Sequence, residues 1–231
     1  MNDSLQTQYG SALGGGLAVE RQRVLRNTYW LLALSMVPTV LGAWIGVSTG
    51  IMASLGLGMS TLVFFVGAFG LMFVVEKTKN SSAGVVALLV FTFFMGLMLS
   101  RLVAQILGFK NGSELIMMAF GGTGAIFFAM ASLATVIKRD LSGMGKFLFV
   151  GAIILLVAGL VNIFLQSSAL MLTVMVLAMA VFSAFMLYDI KRVLDGGETN
   201  YISATLAIYL DIYNVFQSLL SLLGIFGGER D

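Results

Sequence analysis

Long, uninterrupted apolar runs constrain this chain more than any other feature of its sequence. They lie at 29–47, 52–75, 83–107, 114–137, 145–166, 169–190 and 202–226. Each is close to or above the roughly 20 residues that an α-helix needs to cross the hydrocarbon core of a bilayer. The runs are continuous rather than alternating and far longer than barrel strands, so they predict helices. Only 10% of the 231 residues are charged and 59% are hydrophobic, whereas a soluble domain carries about a quarter charged residues. So few charges cannot cover a water-facing surface, and lipid must be the solvent for much of the molecule. The expected fold is an all-α membrane protein of about seven transmembrane helices.

The breaks between runs hold charges or turn formers: VSTG at 47–50, EKTKNSS at 76–82, FKNGSE at 109–114, KRDLSG at 138–143, QSS at 166–168 and DGGETN at 195–200. With the N-terminus placed inside, ten cations fall on that side: Arg21, Arg23, Arg26, Lys77, Lys79, Lys138, Arg139, Lys146, Lys191 and Arg192. Three fall outside: Arg101, Lys110 and Arg230. That bias follows the positive-inside rule for short loops and predicts a cytoplasmic N-terminus. Seven full spans put the C-terminus outside, although the seventh run carries Asp211 and could instead be re-entrant. Residues 1–28 are polar with a Gly-rich patch and lack the early apolar core of a cleaved signal. They read as a flexible cytosolic tail ahead of a signal-anchor span. The transmembrane domain is then 29–226 and a short C-terminal tail 227–231.

Composition also removes whole classes of chemistry. The chain has no Cys and no His, which excludes disulfides, thiolate metal sites, cysteine nucleophiles and Ser–His catalysis. A net charge of +2 gives no reason to expect nucleic acid. No lysine lies deep within a run (Lys146 is at the edge of one and the others fall in or beside the breaks), so no retinal-type Schiff base is placed within a span. Gly42 and Gly46, Gly67 and Gly70, and Gly121, Gly122 and Gly124 read as points of close helix approach. GGTG in the fourth run has a second reading, as a flexible or hydrated stretch. The fifteen Met residues suit irregular gaps in a bundle.

Two aspartates stand out. Asp211 lies about ten residues into the last run, with no Lys or Arg within fifteen residues on either side. A carboxylate at that depth is costly unless protonated, paired or hydrated, and such groups usually face the bundle interior. Asp189, in FMLYDIKRVLDGG, sits at the cytosolic end of the sixth run and alone reads as a cap-region acid near Lys191 and Arg192. The two are each eleven residues from Asn200, so an antiparallel hairpin about DGGETN brings them to similar depth. Two carboxyls brought close cannot both ionise cheaply and instead share a proton. If both ionise, they repel or hold a hard cation such as calcium through oxygen. Tyr188, Tyr209, Tyr213 and Asn214 flank the acids and could donate to them, while Glu76 and Arg101 read as interfacial.

The stretch LYDIKRVLDGGETNYISATLAIYLDIYNVFQSLLSLLGI, supported by FTFFMGLMLS, AFGGTGAIFFAMAS and VNIFLQ, resembles the Bax inhibitor-1 family over nearly the whole chain. RNTYWLLALSM, GLMF and GGETNYI are most similar to its bacterial YccA subgroup, modulators of the membrane protease FtsH. The resemblance implies a seven-helix bundle with the last helix central and surrounded by the other six, in a bacterial inner membrane. It implies a non-enzymatic modulator that binds an FtsH-type protease complex, with the tail as the part engaged. For some members it implies a pH-dependent calcium or proton leak, with the aspartates as sensor and a basic residue near the second span as latch. By residue match the sensor is Asp189 and Asp211, which are also the candidate calcium ligands. No cofactor is implied beyond calcium as a bound or transported ion. The latch region reads VVEKTKN, where Glu76 stands near the expected place and Lys77 or Lys79 substitutes only with a shift. The Pro usual after the LS of the third span is replaced by Arg101. These departures put a sensor ahead of a channel. An intramembrane aspartyl protease, suggested by Tyr188-Asp189, is disfavoured because the second acid sits in YLD rather than beside glycines.

Overall fold

The computed structural model describes residues 3–229, with side chains from Val19 onward except that of Leu57. It is all-helical: α1 (Asp3–Thr49), α2 (Ile51–Ser54), α3 (Gly56–Thr78), α4 (Ser82–Leu107), α5 (Gly112–Val136), α6 (Met144–Leu165), α7 (Ser168–Leu194) and α8 (Tyr201–Gly227). All except the one-turn α2 are long and apolar enough to cross a membrane, which makes seven candidate spans. The last run is a continuous helix of 27 residues, about 40 Å long at 1.5 Å per residue, so its length suits a full crossing.

Two boundaries differ from the sequence expectation. The second apolar run was expected from residue 52, but its span is Gly58–Thr78. Gly50 and Gly56 both take left-handed backbone, with φ of 64° and 70°. They isolate α2 as a single turn, because a chain that enters the left-handed region cannot continue a right-handed helix. At the other boundary, α1 is already helical from Asp3, well before its apolar run. Met1, Asn2, Arg230 and Asp231 lie outside the described residues, and so does the place of Arg230 in the charge count.

The last helix is central. Among the described residues, α8 packs against α1, α3, α4, α5 and α7, while α6 leans on α7 alone. Asp211, Tyr209, Tyr213 and Ile208 of α8 are all buried, together with Phe91 and Met95 of α4 and Met186 and Ile190 of α7. α1 and α4 approach most intimately at the glycines. A Cβ on Gly96 would lie 2.8 Å from the Thr39 carbonyl carbon, and one on Gly46 would run into Ser100. Glycine there lets two backbones meet, as membrane helices use small residues. α5 runs unbroken through GGTG; of its three glycines only Gly122 faces a neighbour, the Leu219 side chain.

The loops sort to two ends. At one, Asn200 Nδ2 donates to the Lys79 carbonyl (3.0 Å) and to Asn80 Oδ1 (2.9 Å). Arg21 of α1 lies against Gly196 of the α7–α8 turn, and Asp140 of the α5–α6 loop feels the charge of Lys191. This is the basic end. At the other, Lys110 N donates to the Glu229 carbonyl (3.1 Å) and Asn111 Nδ2 to the Gly227 carbonyl (2.7 Å), tying the chain's C-terminal segment to the α4–α5 loop.

Candidate functional site

The site begins with the turn DGGETN. α7 stops where Gly196 turns left-handed at φ 79°, and Gly197 N donates back to the Arg192 carbonyl at 2.8 Å. This satisfies a helix-terminal carbonyl, as Gly-containing C-terminal motifs do. Asn200 then starts α8: its Oδ1 accepts from Ile202 N (2.9 Å) and Ser203 N (3.2 Å), capping two free N–H groups. Stop and start sit six residues apart, so α7 and α8 return antiparallel with a fixed register.

That register brings Asp189 and Asp211 into contact. Their carboxyls are near enough to act on one another electrostatically. A hydrogen bond between them would need one proton, since ionised carboxylates only accept. Asp211 is 4% exposed, and its Oδ2 has no hydrogen-bond partner. Asp189 is half-buried and opens onto a cavity of about 350 Å³ at the basic end. The pair thus has a sealed member in the bundle core and an accessible one at a vestibule.

Charge rings that vestibule. Lys79 Nζ pairs with Glu76 Oε2 at 2.7 Å, and Ser203 Oγ donates to Glu76 Oε1 at 2.9 Å. Opposite, Arg192 Nη2 pairs with Glu198 Oε2 at 3.2 Å. The Glu76 and Lys79 singled out as latch candidates therefore face the same cavity as Asp189, engaged with each other. Lys77 is elsewhere, its Nζ 5.4 Å from the Phe73 ring centroid. Glu198 and Ser203 were missed in the sequence, and Arg192 was named there only as a neighbouring cation of Asp189. Arg192 was legible in principle, because residues three apart on a helix are neighbours and it follows Asp189 by three. Glu198 and Ser203 enter only through the turn's geometry.

The flanking polar residues serve other partners. Tyr209 Oη meets Thr39 Oγ1 of α1 at 2.8 Å and the Thr92 carbonyl of α4 at 3.4 Å. Tyr213 Oη donates to the Met95 carbonyl of α4 at 3.3 Å. Asn214 Nδ2 returns to the Leu210 carbonyl of its own helix at 2.8 Å, and Tyr188 packs over Gly145 of α6. All four could donate to the aspartates, and the contacts found for them are with other groups. Successive residues differ by 100° around a helix, and the face next to the acid is already the α7–α8 seam. Arg101 Nη1 reaches Ser60 Oγ at 3.4 Å, at the end of the bundle opposite the vestibule.

Calcium takes six to eight oxygens. Among the described residues no group of three or more acidic, His or Cys side chains is arranged to hold a metal ion. Asp189 and Asp211 together offer at most four carboxylate oxygens, fewer than that number.

The family model described as "Inhibitor of apoptosis-promoting Bax1" matches residues 21–228. The chain is 41% identical over 211 residues to a membrane protein of Vibrio cholerae, covering 90% of this chain and 91% of that one. It is 37% identical over 203 residues to the modulator of FtsH protease YccA of Escherichia coli, covering 87% and 90%. A strain-variant relative of the same identity is described as an inner membrane protein. With matches of this extent, the chain belongs to the Bax inhibitor-1 family.

Proposed function

We propose that the chain is a non-enzymatic modulator of an FtsH-type membrane protease in a bacterial inner membrane, and that the Asp189–Asp211 pair is its pH sensor. The partner rests on the printed role of the Escherichia coli relative. The sensor rests on one observation above the others: a buried carboxyl, Asp211, beside a second, Asp189, that opens onto a vestibule. Loss of the shared proton replaces an attraction with a repulsion at the α7–α8 seam, which gives a switch without histidine. The basic end faces the cytoplasm in this reading, by the positive-inside rule. Residues 1–28 are then the tail that the protease engages, ahead of the bundle at 29–226 and the short tail at 227–231.

Two measurements test the role. Affinity capture of the chain from its own membranes should recover the protease, and deletion should alter turnover of the protease's membrane substrates. Failure of both removes the reading. The vestibule at Asp189 favours one second reading, a pH-dependent calcium or proton leak. Proteoliposomes should then show a flux that varies with pH and loses that dependence in Asp211→Asn; no flux at any pH removes it.

A further inference from the structure

The vestibule has a second property that proton sensing does not use: it is a lateral cleft. Among the described residues α3 and α7 do not pack on one another, and both lean on α8. The cavity lies between them, with α8 as its floor. Its walls change character with depth. At the rim, near the helix ends, stand two cations and two carboxylates, Lys79 with Glu76 and Arg192 with Glu198. Deeper, Met72 of α3 and Leu206, Ala207 and Leu210 of α8 make the lining apolar. From Ser203 at the rim to Leu210 is seven residues of helix, about 10 Å at 1.5 Å per residue. The opening therefore runs from headgroup level into the hydrocarbon, between helices that face lipid.

We propose that this cleft binds one ammonium-bearing zwitterionic phospholipid, of the phosphatidylethanolamine class, with its headgroup at the rim and the start of an acyl chain over Ala207 and Leu210. Charge complementarity selects the class. The rim is balanced, so an anionic headgroup adds an unmatched negative charge beside Glu76 and Glu198. A zwitterion keeps the balance, its phosphate facing Arg192 and Lys79 and its ammonium facing the two glutamates. A primary ammonium donates hydrogen bonds to those carboxylates, and a trimethylated one has no hydrogen to donate. Bound there, the headgroup lies over Asp189 and limits water access to the pair.

The test is native mass spectrometry of the full chain in a neutral detergent, titrated with phosphatidylethanolamine, phosphatidylcholine or phosphatidylglycerol of matched chains. One phosphatidylethanolamine should be retained, preferred over phosphatidylcholine by about tenfold, the worth of one charge-assisted hydrogen bond. Glu76→Gln with Glu198→Gln should erase the preference, and Ala207→Phe should block retention by filling the floor. Lys138→Gln with Lys146→Gln, at the same end but outside the cleft, should leave it intact. Thermal melts of every variant show that the bundle persists. Equal retention of all three lipids overturns the proposal, as does a preference that survives the rim variant. So does competition by glycerophosphoethanolamine as strong as by the whole lipid, since the acyl chain would then have no seat.

Discussion

Asp211→Asn should remove a pH dependence of stability that the wild-type pair confers. If the pair is the proposed sensor, its two carboxyls share one proton in the folded bundle. Hydrogen-bonded carboxyls hold their charge centres about 4 Å apart, where two ionised groups repel by about 4 kcal/mol at an effective dielectric constant of 20. In separated or unfolded helices the aspartates are ordinary carboxylates and have lost the proton by neutral pH. The folded state thus binds more protons than the unfolded state, and stability must fall as pH rises. The full loss, once the proton is gone, is on the order of 4 kcal/mol. At about 2–4 °C per kcal/mol for a chain of this size, the wild-type midpoint drops on the order of 10 °C from acid to alkaline pH. Asn at 211 donates from its amide to the Asp189 carboxylate at every pH, so the variant's profile should be flat across that window. Asp189→Asn also removes the mutual repulsion but leaves Asp211 a lone buried carboxyl whose ionisation burial opposes, so its profile should keep part of the slope. The assay is thermal unfolding of the detergent-solubilised protein, followed by Trp fluorescence, over a pH series for wild type and both variants. Parallel profiles for wild type and Asp211→Asn would falsify the shared proton, and with it the sensor.

Gly96→Ala should separate α1 from α4. The new methyl meets backbone atoms, the Thr39 carbonyl carbon at 2.8 Å and Ala43 N at 3.0 Å, which cannot rotate away. The cost expected for such overpacking is about 1–3 kcal/mol, read as a lowered unfolding midpoint at any pH. Asn200→Ala removes the α8 cap and the ties to Lys79 and Asn80. It should cost about 1–2 kcal/mol, and hydrogen exchange should rise at the first turn of α8 and in the α3–α4 loop; exchange unchanged in that loop would show the tie to be idle.

Much of the architecture was legible because a bilayer is a demanding solvent. It requires some 20 apolar residues per crossing and satisfies backbone groups only in helices or closed barrels. Seven spans therefore followed from seven runs. The aspartate contact was legible too, for Asp189 and Asp211 are equidistant from a turn whose Gly and Asn residues announce it. Neither the partners of Tyr209 and Tyr213 nor the engagement of Lys79 with Glu76 was. In water, an apolar stripe tells which face of a helix points inward. In lipid the outward face is as apolar as the core, and Phe73, Phe120 and Phe147 are exposed while Phe91 is buried. Rotation of each helix is thus invisible in the run that defines it.

By itself, then, the sequence determined the number of spans, the bias of charge between their two ends, and the one hairpin that pairs two acids. Tertiary structure alone decided that α8 is enclosed on so many sides that Asp211 is sealed and Asp189 is not. It also decided that α3 and α7 stand apart, leaving a charged cleft beside the pair. The reason is physical: hydrophobic length is summed along one helix, whereas a seal or a gap depends on how several helices turn toward each other.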